Sequence, residues 1–329
     1  MAALYVTSSE KGTGKTALAA GLAKQLAARG KKVGYFKPVT ATAGSTATGD
    51  TDALFMKQLL SLADPADILR PVIATGSHLS AGVKEAYNKL AQGKDIVIIE
   101  GSSDLFPVAR DIAAAVNAKI IIIEAYSKDM FKAADSYKKF GQALAGVILN
   151  KVPTTRMEQA KSEASARGIA LLGVLPEDRT LMAASVGEIA EGIKGEILND
   201  AAKSPELVEN LMLGALGLDP GPDYFGRKTN KAAVLNANRP DLALAALQTS
   251  LKCLVLAGNT TPNPMVLNDA AARNVPVIIS KESVQALVPE IENTLVKTRF
   301  NQVNKLPRLT ELLEQQLNLP KLYQAIGAG

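Results

Sequence analysis

The sequence predicts an α/β protein, in which helices cover both faces of a parallel β-sheet and a second, smaller α/β unit follows. Three observations support this fold class. Strand-length apolar runs recur through the first part of the chain, these runs are continuous rather than alternating, and helical segments separate them. Continuous apolar strands are typical of parallel sheets, because the crossover helices bury both faces.

The first unit is expected to cover residues 1–200. Apolar runs indicate its strands at 3–6, 32–36, 95–101, 119–125, 144–152 and 170–178. Helical periodicity indicates helices at 15–29, 52–62, 79–92 and 157–168. The polar segment N-D-A-A-K-S-P-E at 199–206 has the composition of a linker.

The α/β pattern restarts on a smaller scale beyond this segment, and a second unit is expected over residues 205–300. A helix is predicted at 206–216, and strands and helices then alternate from residue 231 onward. Residues 301–329 form a C-terminal tail. Its segment 309–317 predicts an amphipathic helix that could pack on either unit or on a partner.

Composition excludes several classes of function. The longest apolar runs have the length of strands, so no membrane span is expected, and the chain enters its first strand without a signal peptide. A single cysteine, Cys253, excludes an internal disulfide, and a single histidine, His78, disfavours multi-histidine metal sites. Aromatic residues make up only 4% of the chain, which disfavours nucleic-acid binding. We therefore expect a cytoplasmic protein, with Cys253 in a buried strand and His78 in an exposed loop.

The segment S-S-E-K-G-T-G-K-T at 8–16 is typical of a phosphate-binding P-loop, because it joins a short apolar strand to a long helix. Backbone N–H groups in such a loop can turn inward to cradle phosphate oxygens. Gly12 and Gly14 permit the close approach. Lys15 would then contact the β- and γ-phosphates, and the Thr16 hydroxyl would bind Mg²⁺.

One position departs from the usual pattern, since Ser9 stands where the first glycine is expected. The alternative interpretation is an ordinary turn between a strand and a helix. The context favours a nucleotide-binding loop. The residues expected to bind the nucleotide there are Glu10, Lys11, Gly12, Thr13, Gly14, Lys15, Thr16 and Ala17.

Polar side chains also follow the other predicted strands. Because ligands gather at the carboxyl ends of parallel strands, these residues are candidates for the same site. They are Lys37, Glu100, Glu124, Asn150 and Lys151, with Asp50 and Asp52 on the loop after the second strand.

Carboxylates among these candidates could hold a metal ion. Glu100 is predicted to bind Mg²⁺ or to orient a water bound to it, and the alternative is a solvated carboxylate at a strand end. Glu124 has a similar position, with neither interpretation favoured. Asp50 and Asp52 could cap the helix that follows, and we favour Asp50 for the metal.

Residues 1–200 resemble the dethiobiotin synthetase family of P-loop proteins, which includes the cobyrinic acid amide synthetases and, more distantly, the partition-type ATPases. The matching motifs occur in the family's order and are S-S-E-K-G-T-G-K-T, Y-F-K-P-V, G-D-T-D, I-I-E-G, G-V-I-L-N-K-V and L-L-G-V-L-P-E-D. The resemblance implies ATP and Mg²⁺ as cofactors. It places the catalytic groups at Lys15 and Lys37, the metal ligands at Thr16, Asp50 and Glu100, and the adenine contact at Asn150.

Residues 205–300 resemble the DRTGG domain that follows a dethiobiotin synthetase-like domain in the N-terminal part of long-form phosphate acetyltransferases. The similarity lies in A-V-L-N-A-N-R-P-D-L-A-L-A-A-L, L-V-L-A-G-N-T-T-P-N-P-M-V-L and V-P-V-I-I-S, while G-R-K-T-N at 226–230 replaces the D-R-T-G-G sequence. This resemblance implies a regulatory role and an acyl- or acetyl-transfer enzyme as a candidate partner. The resemblance of residues 1–200 to the P-loop family implies a homo-oligomer such as a dimer.

Three functions remain open from the sequence. The leading one is a Mg·ATP-binding P-loop protein with weak or regulated ATPase activity, coupled to the DRTGG-like domain. The second is an ATP-dependent ligase or carboxylase, in which Lys37 and the loop 101–106 face a small substrate. The third is a sensor or scaffold that binds nucleotide without turnover.

Overall fold

A computed structural model describes residues 1–40, 51–74, 78–214 and 221–327. The chain forms two compact units. The first consists of Met1–Glu177 together with Phe300–Gly329, and the second of Asp178–Arg299. No helix among the described residues is long and apolar enough to cross a membrane.

The first unit alternates strands and helices along the chain. Its strands are β1 (Ala2–Thr7), β2 (Val33–Phe36), β3 (Val39–Thr40), β4 (Val72–Ile73), β5 (Ile96–Glu100), β6 (Lys119–Ala125), β7 (Leu144–Val152) and β8 (Leu171–Pro176). Its helices up to residue 177 are α1 (Lys15–Ala28), α2 (Thr51–Leu59), α3 (Ala66–Leu69), α4 (Leu79–Leu90), α5 (Ala109–Ala115), α6 (Ala134–Tyr137) and α7 (Met157–Ala166).

Six of these strands form one parallel sheet in the order β2-β5-β1-β6-β7-β8. The isoleucine and valine residues of β5 and β6 are buried, as continuous apolar strands covered on both faces require. β1 lies at the centre, between β5 and β6, so the loop after β1 is flanked by the ends of both neighbours. In the register, Val6 of β1 lies opposite Glu100 of β5.

The second unit is a smaller α/β arrangement. Its elements are α8 (Arg179–Met182), β9 (Ala184–Ser185), α9 (Val186–Gly192), β10 (Glu196–Ile197), β11 (Leu207–Val208), β12 (Asn210–Gly214), α10 (Pro222–Phe225), β13 (Lys231–Asn236), α11 (Pro240–Leu247), β14 (Leu251–Ala257), α12 (Pro264–Ala272), β15 (Val277–Ser280) and α13 (Val284–Lys297). Five strands form a sheet in the order β10-β15-β14-β13-β12, in which only the β10–β15 pair is antiparallel. The predicted fold class is therefore confirmed for both units.

The helix predicted at 206–216 is wrong, because residues 207–208 and 210–214 form β11 and β12. Its apolar residues at 207, 208, 211 and 212 fit a helical period, which made the error possible. Pairing with a distant strand decides the conformation instead, since Asn210–Gly214 runs parallel to Lys231–Leu235. Non-local pairing of this kind overrides a local pattern.

The two units have other bounds than those expected from composition. Residues 178–199, expected in the first unit, belong by their contacts to the second. The reason is β10, which pairs with β15 and extends the second sheet. The segment 199–206, expected to be a linker, lies inside the second unit, where β11 follows it.

The C-terminal tail packs on the first unit, through the helices α14 (Leu306–Gln316) and α15 (Leu319–Ala325). Leu309 and Leu313 of α14 lie against Gly21 of α1, where a larger side chain would collide with them. The Tyr323 hydroxyl donates a hydrogen bond to Oε1 of Gln25, 2.9 Å away. The tail therefore packs against α1, the helix that begins at the candidate phosphate loop.

Candidate functional site

The loop between β1 and α1 has the backbone of a phosphate cradle. Gly12 has φ 71° and Gly14 has φ 102°, both in the region that glycine adopts most easily. Gly14 is the residue before α1, so the N–H groups of the first helical turn open next to it. A Cβ atom at Gly14 would collide with the side-chain amide of Asn150, whereas none of the neighbouring atoms would touch one at Gly12.

Lys15 lies folded over this loop. Its Nζ donates to Oγ of Ser8 at 2.6 Å and to the carbonyl of Glu10 at 3.2 Å. Burial lowers the pKa of its ammonium, and the carboxylates of Glu100 and Glu124 oppose that effect. The arrangement holds a cation beside the cradle, where phosphate oxygens would compensate its charge.

Glu100 lies next to the start of α1, at the end of β5, with only 2% of its surface exposed. Its Oε1 accepts from the Thr16 hydroxyl at 2.8 Å and its Oε2 from the Tyr35 hydroxyl at 2.8 Å. Burial raises the pKa of this carboxyl, Lys37 opposes the shift and Asp52 adds to it. Glu100 is therefore a buried carboxylate at the cradle, and the alternative of a solvated strand end does not describe it.

Lys37 completes a charged group on the far side of Glu100. Its Nζ lies 2.5 Å from Oδ2 of Asp52 and 3.7 Å from Oε1 of Glu100. Both Lys37 and Asp52 have side chains only 13% exposed. Asp52 thus serves as an ion-pair partner of Lys37 within the first turn of α2.

A metal ion would find oxygen donors beside the loop. The Thr16 hydroxyl and the Glu100 carboxylate are already in contact, and such oxygen ligands suit Mg²⁺. The third predicted ligand, Asp50, lies outside the described residues. Within the described ranges, the acidic, histidine and cysteine side chains form no group of three that could hold a metal by themselves. The donor set fits an ion that keeps water ligands and binds phosphate, as Mg²⁺ does.

The end of β7 closes the loop from the other side. Nδ2 of Asn150 donates to the carbonyl of Thr13 at 2.8 Å, and Nζ of Lys151 donates to the carbonyl of Gly12 at 2.9 Å. Lys151 has φ 56°, an uncommon conformation for a non-glycine residue. Asn150 therefore lies against the loop backbone, and its predicted contact with adenine stays a prediction.

Glu124 meets the loop at Ser9, the position where a glycine is usual. The backbone N–H of Ser9 donates to Oε1 of Glu124 and the Ser9 hydroxyl to Oε2, both at 3.0 Å. The Tyr137 hydroxyl donates to Oε1 at 3.1 Å. Only 2% of Glu124 is exposed, and burial raises the pKa of its carboxyl. The structure thus brings Glu124 into the site.

Lys151 was among the candidates at strand ends, whereas three other residues of this arrangement were not predicted. Ser8 carried a signal as part of the loop motif. Tyr35 and Tyr137 carried none, because their hydroxyls reach Glu100 and Glu124 only through the tertiary fold.

The single histidine is exposed and the single cysteine is buried, as the sequence predicts. His78 is exposed beside the start of α4, and Cys253 is fully buried in β14, which raises the pKa of its thiol to about 12.

Comparison with known proteins connects this geometry to named families. The phosphate acetyltransferase of Nitrosomonas europaea is 24% identical over 316 residues, which cover 84% of this chain and 45% of that protein. The ATP-dependent dethiobiotin synthetase of Methanocaldococcus jannaschii is 27% identical over 140 residues, covering 37% of this chain and 63% of the other. The cobyrinate a,c-diamide synthase of Magnetococcus marinus is 27% identical over 198 residues, covering 54% and 38%.

These relatives confirm the resemblance drawn from the motifs. The chain spans about half the length of the phosphate acetyltransferases that it matches. Two families match the chain itself, the AAA_26 family (AAA domain) over residues 2–185 and the DRTGG domain over residues 188–294. Because the first match covers more than half of the chain, this protein belongs to the AAA_26 family, and a DRTGG domain follows its P-loop domain.

Proposed function

We propose that this protein binds Mg·ATP at the loop between β1 and α1 and that it is a weak or regulated ATPase. The observation that carries the proposal is the 2.8 Å contact between the Thr16 hydroxyl and the buried Glu100 carboxylate. This contact places oxygen donors for a cation directly beside Lys15 and the N-terminus of α1. A cation, a metal site and inward N–H groups together are what a nucleotide triphosphate requires.

Each residue would then have a distinct role. Lys15 would move from the Glu10 carbonyl onto the β- and γ-phosphates, while loop N–H groups bind the remaining phosphate oxygens. Thr16, Glu100 and Asp50 would hold Mg²⁺, which screens the phosphate charge. Lys37, whose Nζ lies 3.7 Å from Oε1 of Glu100, would stabilise the charge that develops on the γ-phosphate.

The DRTGG domain would couple this nucleotide site to a regulatory role. Two findings support that coupling, namely the order of the two domains and the similarity to phosphate acetyltransferases over nearly the whole chain. By this proposal the candidate partner is an acyl- or acetyl-transfer enzyme. A homo-oligomer and a cytoplasmic location belong to the same proposal.

A ligase is the second candidate, and the position of Lys37 favours it. The Lys37–Asp52 pair fixes an ammonium group beside Glu100. An ammonium there could bind a carboxylate or carbamate that ATP activates. One relative is named an ATP-dependent dethiobiotin synthetase, and this name supports the ligase as the second candidate.

Phosphate release from Mg·ATP separates these functions. The purified protein is assayed alone and with diaminopelargonate plus bicarbonate, with Lys15→Ala as the blank. We expect slow phosphate release that is the same with and without the added substrates and is lost in Lys15→Ala. Release stimulated by the substrates would instead show a ligase. An absence of release despite ATP binding would show a nucleotide sensor or scaffold.

Glu100→Gln tests the metal side of the site. The amide keeps the size of the side chain but removes the charge that a divalent cation needs. We expect ATP affinity without Mg²⁺ to stay within about twofold of wild type. The gain in affinity on adding Mg²⁺ should fall at least about tenfold, because one charge-assisted contact is lost. Glu85→Gln, which changes an exposed carboxylate on α4, is the control. An unchanged Mg²⁺ titration in Glu100→Gln would remove Glu100 from the metal site.

A further inference from the structure

We propose that Glu124 is a positioning residue that fixes the opening turn of the phosphate loop through Ser9 and links that turn to the loop after β5 through Tyr137. The inference rests on the proposed nucleotide site and adds a means of regulating it. No residue of this chain of contacts belongs to the phosphate- or metal-binding set described above.

The first link joins Glu124 to the loop. Both carboxylate oxygens are used on one residue, since Ser9 donates its backbone N–H and its hydroxyl at 3.0 Å each. A glycine at this position would have no hydroxyl to offer. Ser9 therefore ties the first turn of the loop to Glu124 by two hydrogen bonds. The next residue, Glu10, accepts a hydrogen bond from Lys15 through its carbonyl.

The second link joins Glu124 to Tyr137, at the end of α6. The Tyr137 hydroxyl donates to Oε1 at 3.1 Å, and Tyr137 is only 4% exposed. Three donors therefore meet one buried carboxylate. Loss of any of these donors would leave a buried carboxylate oxygen with one hydrogen bond fewer. The three hydrogen bonds together therefore restrict the position of the Glu124 carboxylate.

The third link leads to a loop on the other side of β1. The ring of Phe106 packs edge-on against Tyr137, with 6.5 Å between ring centroids, and against Phe140 at 5.8 Å. Phe106 belongs to the 3₁₀ helix Ser103–Val108 that follows β5 and Glu100. A ligand or partner that moves Ser103–Val108 would shift Phe106, then Tyr137, and so reach Ser9 through Glu124.

Two charged groups of the loop face Glu124. The Lys15 ammonium attracts the carboxylate, and the Glu10 carboxylate repels it. The carboxylate therefore acts on Lys15 as well as on Ser9, and both residues belong to the same loop.

The test measures how fast the loop amides exchange their hydrogens in the free protein, and then how tightly the protein binds nucleotide. Hydrogen exchange of the amides of residues 8–14 is compared in wild type, Glu124→Met and Glu124→Gln. Methionine fills the space but accepts no strong hydrogen bond, so we expect exchange at least about tenfold faster. Glutamine can accept from the Ser9 N–H and Tyr137 and donate to the Ser9 hydroxyl, so we expect exchange within about threefold of wild type.

Nucleotide affinity gives the second measurement. We expect Mg·ATP to bind at least about tenfold more weakly to Glu124→Met and within about threefold of wild type to Glu124→Gln. Val83→Ala is the control, because it removes fully buried volume from α4 without touching the loop. Its Kd should match wild type even where its melting temperature falls.

Phe106→Ala tests the last link, and we expect the same amides to exchange at least about threefold faster, as the loss of an aromatic pair implies. Unchanged exchange in Phe106→Ala would overturn the link to Ser103–Val108. Wild-type exchange and affinity in Glu124→Met would overturn the positioning role itself. If the exchange differences appear but wild type binds no nucleotide, the proposed function fails while the positioning of the loop stands.

Discussion

Lys15→Ala is expected to weaken Mg·ATP binding by about 100-fold, which corresponds to losing about 3 kcal/mol of charge-assisted hydrogen bonds to phosphate. The structure supports so large an effect because Lys15 already lies over the loop, bonded to Ser8 and the Glu10 carbonyl. Burial lowers the pKa of its ammonium, so phosphate oxygens would restore the favourable environment that water gives to exposed lysines.

The matched control for this variant is Lys24→Ala. Lys24 belongs to the same helix, α1, but is exposed. Its loss should leave both affinity and melting temperature within error of wild type. The Lys15→Ala fold is checked by circular dichroism and thermal unfolding. Retained ATP affinity in a folded Lys15→Ala protein would contradict the assignment of the phosphate loop.

Gly14→Ala is expected to destabilise the first unit by about 2–4 kcal/mol and to abolish measurable nucleotide binding. A non-glycine residue at φ 102° costs about 1–2 kcal/mol, and the added methyl group collides with the Asn150 amide. Relieving that collision would break the 2.8 Å bond from Asn150 to the Thr13 carbonyl, which closes the loop. The free energy of unfolding is measured by denaturant titration, and affinity by calorimetry.

Gly12→Ala is the control that separates backbone strain from collision. Gly12 also has positive φ, 71°, but a methyl group there would meet open space. We expect a cost of about 1 kcal/mol and partly retained binding. Equal effects of the two substitutions would show that backbone strain alone accounts for them, and that Asn150 does not close the loop.

The main part of the site could be predicted from the sequence for a local reason and a topological one. The loop motif lies between the first strand and the first helix, so its geometry follows from neighbouring residues. Glu100 and Lys37 end their strands, and parallel strands bring their carboxyl ends to one edge of the sheet. The structure accordingly places Glu100 within 2.8 Å of Thr16, 84 residues away along the chain.

The rest depends on contacts that no local pattern encodes. Tyr137 reaches Glu124 from a helix of four residues that sequence reasoning did not identify. The segment 206–216 has helical periodicity, yet pairing with β13 makes Asn210–Gly214 a strand. Residues 178–199 enter the second unit because β10 pairs with β15, a partner about 80 residues further on.

Calorimetric titration of the wild-type chain with ATP, first with Mg²⁺ and then with EDTA, tests whether the loop between β1 and α1 binds a nucleotide. We expect saturable binding of one ATP per chain that weakens when Mg²⁺ is removed and falls about 100-fold in Lys15→Ala. Absence of ATP binding to the folded wild-type protein in the presence of Mg²⁺ would contradict this expectation.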